Sequence, residues 1–278
     1  MGFIIERFIL IFSFTFMIRA LLVGLLTAVS SSMVGTFLVL KRYSMIGHGL
    51  SHVAFGAVAV GLVFSNSPLI IALPLVVATS VLILKLNEKA DVHADAAIGV
   101  MATSAMALGT LLASIDGGFT TVLNTYLFGS ILTVQWIDLG LALALLVAVL
   151  AFVGYYYHSL FSLTYDPTFA HVSGVPVKRL NVWLAIFTGV IVVVGIRLLG
   201  TILISSFIIF PTLISMQLKK GFKATYLFAS VVALITVFFG IAFSFIYDFP
   251  TGSTIVLLNA IVFVIFFITQ AIKKRGAA

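Results

Sequence analysis

Stretches of about twenty apolar residues recur along this chain, each long enough to cross a hydrocarbon layer ~30 Å thick as a helix. They run Phe14–Leu40, Ile46–Phe64, Leu69–Leu86, Ala96–Ser114, Ile137–Tyr157, Leu180–Leu199, Thr201–Leu218, Ala224–Tyr247 and Ser253–Ile272. The pattern predicts an all-α, polytopic transmembrane protein of nine spans. The count falls to eight if the short Thr201–Leu218 run, which follows Gly200 directly, is a broken or re-entrant helix. Composition agrees, because 8% of the residues are charged where a soluble domain has about 25%. No long polar insertion interrupts the runs, so residues 1–278 read as one transmembrane domain. Residues 1–13 read as a retained peripheral helix. No basic residue precedes Glu6-Arg7 and no A-x-A-like cleavage site follows, so a signal peptide is not expected.

Charge sets the expected orientation. Lys41, Arg42, Lys85, Lys89, Lys178, Arg179, Lys219, Lys220, Lys223, Lys273, Lys274 and Arg275 all fall on one side of the alternating spans. Of the 15 basic residues only Arg7, Arg19 and Arg197 fall elsewhere. Such an excess marks the cytoplasmic face, which places the N-terminus outside and the C-terminus in the cytoplasm. The formal charge of +7 is therefore a topology signal, and no nucleic-acid partner is expected. The chain has no cysteine, so disulfides and thiolate metal sites are excluded. It also lacks a G-x-x-x-x-G-K-[ST] loop, so any ATP hydrolysis belongs to another subunit.

The stretch Ser44-Met-Ile-Gly-His-Gly-Leu-Ser-His52 carries the chemistry that stands out. His48 and His52 are four residues apart, which on a helix puts both imidazoles on one face. Two imidazoles so placed can share one metal ion, with Zn–N bonds near ~2.0–2.1 Å. Ionisable groups within spans are costly and mark function more often than not; the plain alternative is that the pair solvates a helix end near Lys41 and Arg42. A zinc-protease reading fails, because Gly49 stands where that chemistry needs a general-base Glu. The surrounding Gly, Ala and Ser let neighbouring helices approach closely.

Other polar residues read more simply. Asp91, His93 and Asp95 form an acidic loop, more often solvated than ligating. Asp116, Asp138 and Asp248 lie at outer span ends, where they can draw a cation inward or cap helices. Arg197 is expected to pair with Asp248 or Asp116. Ser205, Ser206 and Asn259 read as helix-bridging groups. Tyr126–Leu132 is apolar but too short to span, so it should lie at the interface or re-enter. Residues 158–179 form the longest cytoplasmic connection. Within it Tyr165–Val177 predicts a short helix, capped by Asp166, with Pro167 in its first turn and Gly174 and Pro176 at its end. His158 and His171 flank it as surface residues. The helix suits either partner docking or an ordinary interfacial role.

Four segments, in order, now carry a resemblance: Lys41–His52, Tyr126–Leu132, Asp166–Val175, and Gly195–Ser206 followed by Pro211. Together they resemble the membrane permeases of bacterial ABC-type zinc and manganese importers, from about Leu25 to the C-terminus. The resemblance implies a type II-like ABC importer fold in the bacterial plasma membrane, acting as a homodimer. It implies as partners two cytoplasmic ATP-binding subunits and an extracytoplasmic metal-binding protein, with membrane lipid around the spans. No permanent cofactor and no enzymatic activity of this chain are implied; a metal ion is the expected transported substrate. Asp166, Pro167, Phe169, Ala170, Val172 and Gly174 would form the coupling helix against the ATPase. The second-span motif in these permeases often reads Asp-x-x-x-His, whereas here His48 holds the Asp position. Imidazole suits Zn²⁺ and carboxylate suits Mn²⁺, so the His/His pair favours zinc over the manganese or iron alternatives. An ATP-independent secondary transporter would carry inverted repeats, and no convincing repeat is found. A membrane enzyme would need a catalytic constellation that is missing.

Overall fold

A computed structural model describes residues 7, 10–64, 67–89, 94–116, 125–130, 134–218 and 221–275. The described residues form ten helices: α1 Thr15–Leu40, α2 Met45–Phe64, α3 Pro68–Lys89, α4 Ala94–Asp116, α5 Trp136–Tyr155, α6 Tyr157–Tyr165, α7 Pro167–Val172, α8 Val177–Gln217, α9 Phe222–Tyr247 and α10 Thr251–Arg275. Among these residues no strand occurs, and nine segments are long and apolar enough to cross a membrane, as the hydropathy pattern predicts.

Burial sorts the spans. α1, α2 and the second half of α8 are the most enclosed, whereas α4 and α10 keep most of their surface outside the bundle. Small and hydroxyl residues make the centre. Ser31 donates to the Thr27 carbonyl at 2.6 Å and Thr36 to that of Ser32 at 2.8 Å. Each hydroxyl is satisfied on its own helix, so buried polar groups do not hold neighbours apart. The Thr36 and Thr212 hydroxyls, 3.2 Å apart, then join α1 to α8. Gly35 lies directly on the Ile208 backbone, where a Cβ would collide with the carbonyl.

α8 settles the span count. At Gly200 the backbone adopts φ 75° and ψ 166°, a region almost confined to glycine. Gly195 packs on Ile204 across this break, a contact that a straight helix cannot make over nine residues at 1.5 Å rise each. Lys41 is hydrogen-bonded to Asn181, and Thr36 meets Thr212. Both ends of α8 therefore lie against the same end of α1. The element is a helical hairpin of two spans, Val177–Arg197 and Leu199–Gln217.

The tip of this hairpin is held by backbone contacts. A helical turn at residues 125–128 ends at Gly129, whose N–H donates to Thr125 at 2.8 Å. A Cβ on Gly200 would sit 2.5 Å from the Gly129 nitrogen and 2.6 Å from the Leu127 oxygen. Thr201 donates to that same Leu127 carbonyl at 3.3 Å, and Gly252 at the start of α10 closes on Phe128. The short apolar segment thus packs on the hairpin tip and the start of α10; residues 131–133 lie outside the described set.

One connection departs from expectation. The span beginning at Trp136 ends at Tyr155, and Tyr157–Tyr165 is a helix of its own that buries Leu160 and Leu163. α7 follows as predicted in kind but shorter. Asp166 Oδ1 accepts from Phe169 N at 2.9 Å, with Pro167 in the first turn. Gly174, at φ 81°, ends it. Its N–H donates to His171 and that of Val175 to Ala170, which together satisfy the last carbonyls.

Candidate metal-binding cavity

α2 begins at Met45 because the chain turns through Arg42, at φ 64°, immediately before it. His48 and His52 then share one face in its first two turns. Their Nε2 atoms lie 3.3 Å apart and their rings meet edge to face, centroids 4.7 Å apart. His52 Nδ1 is buried and has no protein partner among the described residues. The pair lines a cavity of about 250 Å³ between α2 and α4.

Glycines bring the two walls of this cavity together. Gly49 packs on the Ile98 side chain, Gly56 lies against the Ala105 backbone, and Gly109 receives the edge of Phe55 and the backbone of Gly56. A side chain at Gly56 would collide with the Ala105 carbonyl. The small residues of the motif therefore act through backbone approach.

The opposite wall supplies a residue that sequence reasoning set aside. Asp95 stands in the first turn of α4 and lines the same cavity, with Thr103 and Met106 above it. It is helical, not in a loop, and it stays exposed. Its spacing of eight residues to Thr103 already places both on one helical face, and this was the available signal. Asp91 and His93 lie outside the described residues. Among the described residues no three His, Asp or Glu side chains converge into a closed metal cluster. The cavity offers two imidazoles that converge and a carboxylate on the facing wall. Its other lining groups are apolar or small.

The outer acidic residues are differently engaged. Arg197 pairs with Asp138 at 3.0 Å, where the sequence points to Asp248 or Asp116. The Asp138 carboxylate also accepts from Gln135 N at 2.7 Å at the start of α5. Asp248 meets Arg7 at 3.1 Å, and the same guanidinium donates to Ile246 O at 2.7 Å. Both aspartates thus already face a cation of the chain. Asp116 closes α4, and its side chain lies outside the described set. Helix-bridging by Ser205 and Asn259 is also corrected: Ser205 donates to Ile202 O and Asn259 to Ile255 O, each within its own helix. Ser206 Oγ has no partner among the described residues.

A family model described as the ABC 3 transport family matches residues 13–270. The chain belongs to the ABC 3 transport family. Its relatives in that family include the manganese transport system membrane protein MntC of Halalkalibacterium halodurans. The two are 28% identical, over 92% of this chain and 87% of the relative. The high-affinity zinc uptake system membrane protein ZnuB of Haemophilus influenzae is 25% identical over 91% of this chain and 97% of its own length. Among solved structures, PsaBC from Streptococcus pneumoniae in complex with Fab superposes with a TM-score of 0.84 at 26% identity, covering 95% of each chain. The superposition covers nearly the whole bundle. α7 turns Ala170 inward and leaves Phe169 and Val172 62% and 81% exposed, an apolar pair on a six-residue helix.

Proposed function

We propose that this ABC 3 permease carries a divalent transition-metal ion, Zn²⁺ in preference to Mn²⁺, through the cavity between α2 and α4, with His48 and His52 as transient ligands. The Nε2 separation of 3.3 Å carries this reading. Two nitrogens bound to one tetrahedral ion at ~2.0–2.1 Å lie about 3.3–3.4 Å apart, so the separation already matches that of a chelating pair. Asp95 adds a hard oxygen on the facing wall. Without a closed four-ligand cage, release stays fast enough for transport. The names of ZnuB and MntC support a metal cargo and leave room for either ion. The His/His pair favours zinc, because an imidazole replaces the carboxylate that suits manganese.

The remaining parts follow from the family. We place the basic ends of the spans in the cytoplasm and the N-terminus outside, in a bacterial cell membrane. Two copies would assemble with two ATP-binding subunits and receive the ion from an extracytoplasmic binding protein. ATP would be hydrolysed on the partner subunits. Their closure would reach the bundle through Asp166, Pro167, Phe169, Ala170, Val172 and Gly174, with Phe169 and Val172 as the contact.

The test is zinc and manganese accumulation in cells that depend on this system, at matched expression. His52→Ala should abolish zinc uptake, and His48→Asp should shift uptake towards manganese. Unchanged uptake of both ions in both variants would remove the pair from the ion path.

A further inference from the structure

A second and larger cavity, about 650 Å³, lies away from the histidine pair, where α1 forms the floor between α5 and α9. Its depth is apolar: Val29 and Met33 on the floor, Leu150 and Leu227 on the walls. Its polar groups gather at one end. Tyr157 and His158 open α6, and Lys223 and Tyr226 stand in the first turns of α9. The cleft then runs along α9 to Ser230, two turns or about 10 Å further. Ser230 is already bonded to the Tyr226 carbonyl at 3.0 Å.

The polar end is assembled but unused by the chain. Tyr157 and Tyr226 are held with ring centroids 6.1 Å apart, and Tyr157 packs on His158 at 5.3 Å and on Phe222 at 5.8 Å. Among the described residues neither tyrosine hydroxyl has a hydrogen-bond partner, and Lys223 has no acidic one. Burial, then the neighbouring phenols of Tyr226 and Tyr165, pushes Tyr157 above the ordinary tyrosine range. It stays a neutral hydroxyl donor at physiological pH. A cation, two phenolic donors and a histidine at the head of an apolar trough of this length complement an anionic phosphate attached to a hydrocarbon chain.

We infer that the cleft between α1, α5 and α9 binds an anionic phospholipid, its phosphate held by Lys223 with Tyr157, His158 and Tyr226, and an acyl chain laid along Val29, Met33 and Leu227. A free phosphate would use the same polar end but leave the apolar depth empty. On the orientation proposed above the headgroup would face the cytoplasmic leaflet; the binding itself does not rest on that orientation. Retention of lipid by purified protein reads the cleft whichever way the chain faces and whichever ion it carries.

The test uses the full chain purified in mild detergent and exchanged against vesicles of phosphatidylglycerol or phosphatidylcholine, with retained lipid counted by native mass spectrometry. The wild type should retain phosphatidylglycerol about fivefold better, the order expected of one basic side chain at a lipid surface. Lys223→Glu should remove that preference and Lys223→Arg should keep it. Gly154 lines the cleft, and a Cβ there would meet nothing within 4 Å. Gly154→Leu should therefore fill the trough with an unchanged melting temperature, lower retention of phosphatidylglycerol, and decide the matter if Lys223→Glu does not fold. Equal retention of both lipids by the wild type would overturn the proposal, as would a Gly154→Leu variant that holds phosphatidylglycerol as the wild type does. Displacement of the bound species by excess inorganic phosphate, with Gly154→Leu without effect, would assign the site to free phosphate instead.

Discussion

The Asp138–Arg197 pair shows how much one residue's environment matters. Its side chains are 11% and 24% exposed, so removing either partner leaves a charge poorly solvated. Asp138→Asn should destabilise the detergent-solubilised protein by about 2 kcal/mol, below the ~3–5 kcal/mol of a fully buried pair. Thermal unfolding should also show the double variant Asp138→Asn/Arg197→Met less destabilised than the sum of the single ones, since contacting residues couple. Additive losses would mean that the pair contributes no mutual energy. Gly200 is a backbone counterpart. Its φ and ψ alone make an alanine cost roughly 1–3 kcal/mol, and the collision with Leu127 and Gly129 adds to it. Gly200→Ala is expected to lose most folded protein on size-exclusion chromatography, whereas Gly140→Ala, with open space around it, should be recovered as wild type. The histidine spacing was legible from sequence because i and i+4 on one helix need no tertiary knowledge. The partner of Arg197 was not, since Asp138, Asp248 and Asp116 all sit at helix ends of similar composition, and only packing selects among them.

At the scale of elements, the spans were legible because each is a continuous apolar run bounded by charge or glycine. α6 was not. Tyr157–Tyr165 mixes aromatic and hydroxyl residues, and it forms a helix because Leu160 and Leu163 find the bundle. Asp95 reads as a loop residue because it follows polar residues, and only the approach of α4 to α2 brings it to the cavity that His48 and His52 line. α7 gives a prediction of its own. Asp166→Ala removes the side-chain acceptor for Phe169 N, which should cost about 1 kcal/mol of local helix stability and show as faster amide exchange over residues 167–172. Phe169→Ala, at an exposed position, should leave the melting temperature unchanged while lowering recovery of the ATP-binding subunit on co-purification. Equal recovery would leave α7 an ordinary interfacial helix.

For the whole molecule, the hairpin at Gly200 makes the number of crossings odd, so the chain enters the first described span on one face and leaves the last on the other. The absence of cysteine from the sequence makes this directly measurable. Single cysteines at Arg42 and Lys178 should react with an impermeant maleimide only from the cytoplasmic side. One at Asp248 should react only from outside. Labelling of residues 42 and 248 from the same side would contradict the nine-crossing arrangement. The odd count could be read from sequence only by trusting Gly200 as a complete turn, and the contact of Gly195 with Ile204 supplies the reason to do so.

The glycine contacts of α2 with α4 bear on the mechanics of transport. Where Gly56 meets the Ala105 backbone, and Gly109 the backbone of Gly56, no rotamer change can widen the gap between the helices. The two walls of the cavity are thus held together as one stiff member. On the ion path proposed above, α2 and α4 then form one fixed half-site, and any opening or closing falls to elements other than these two.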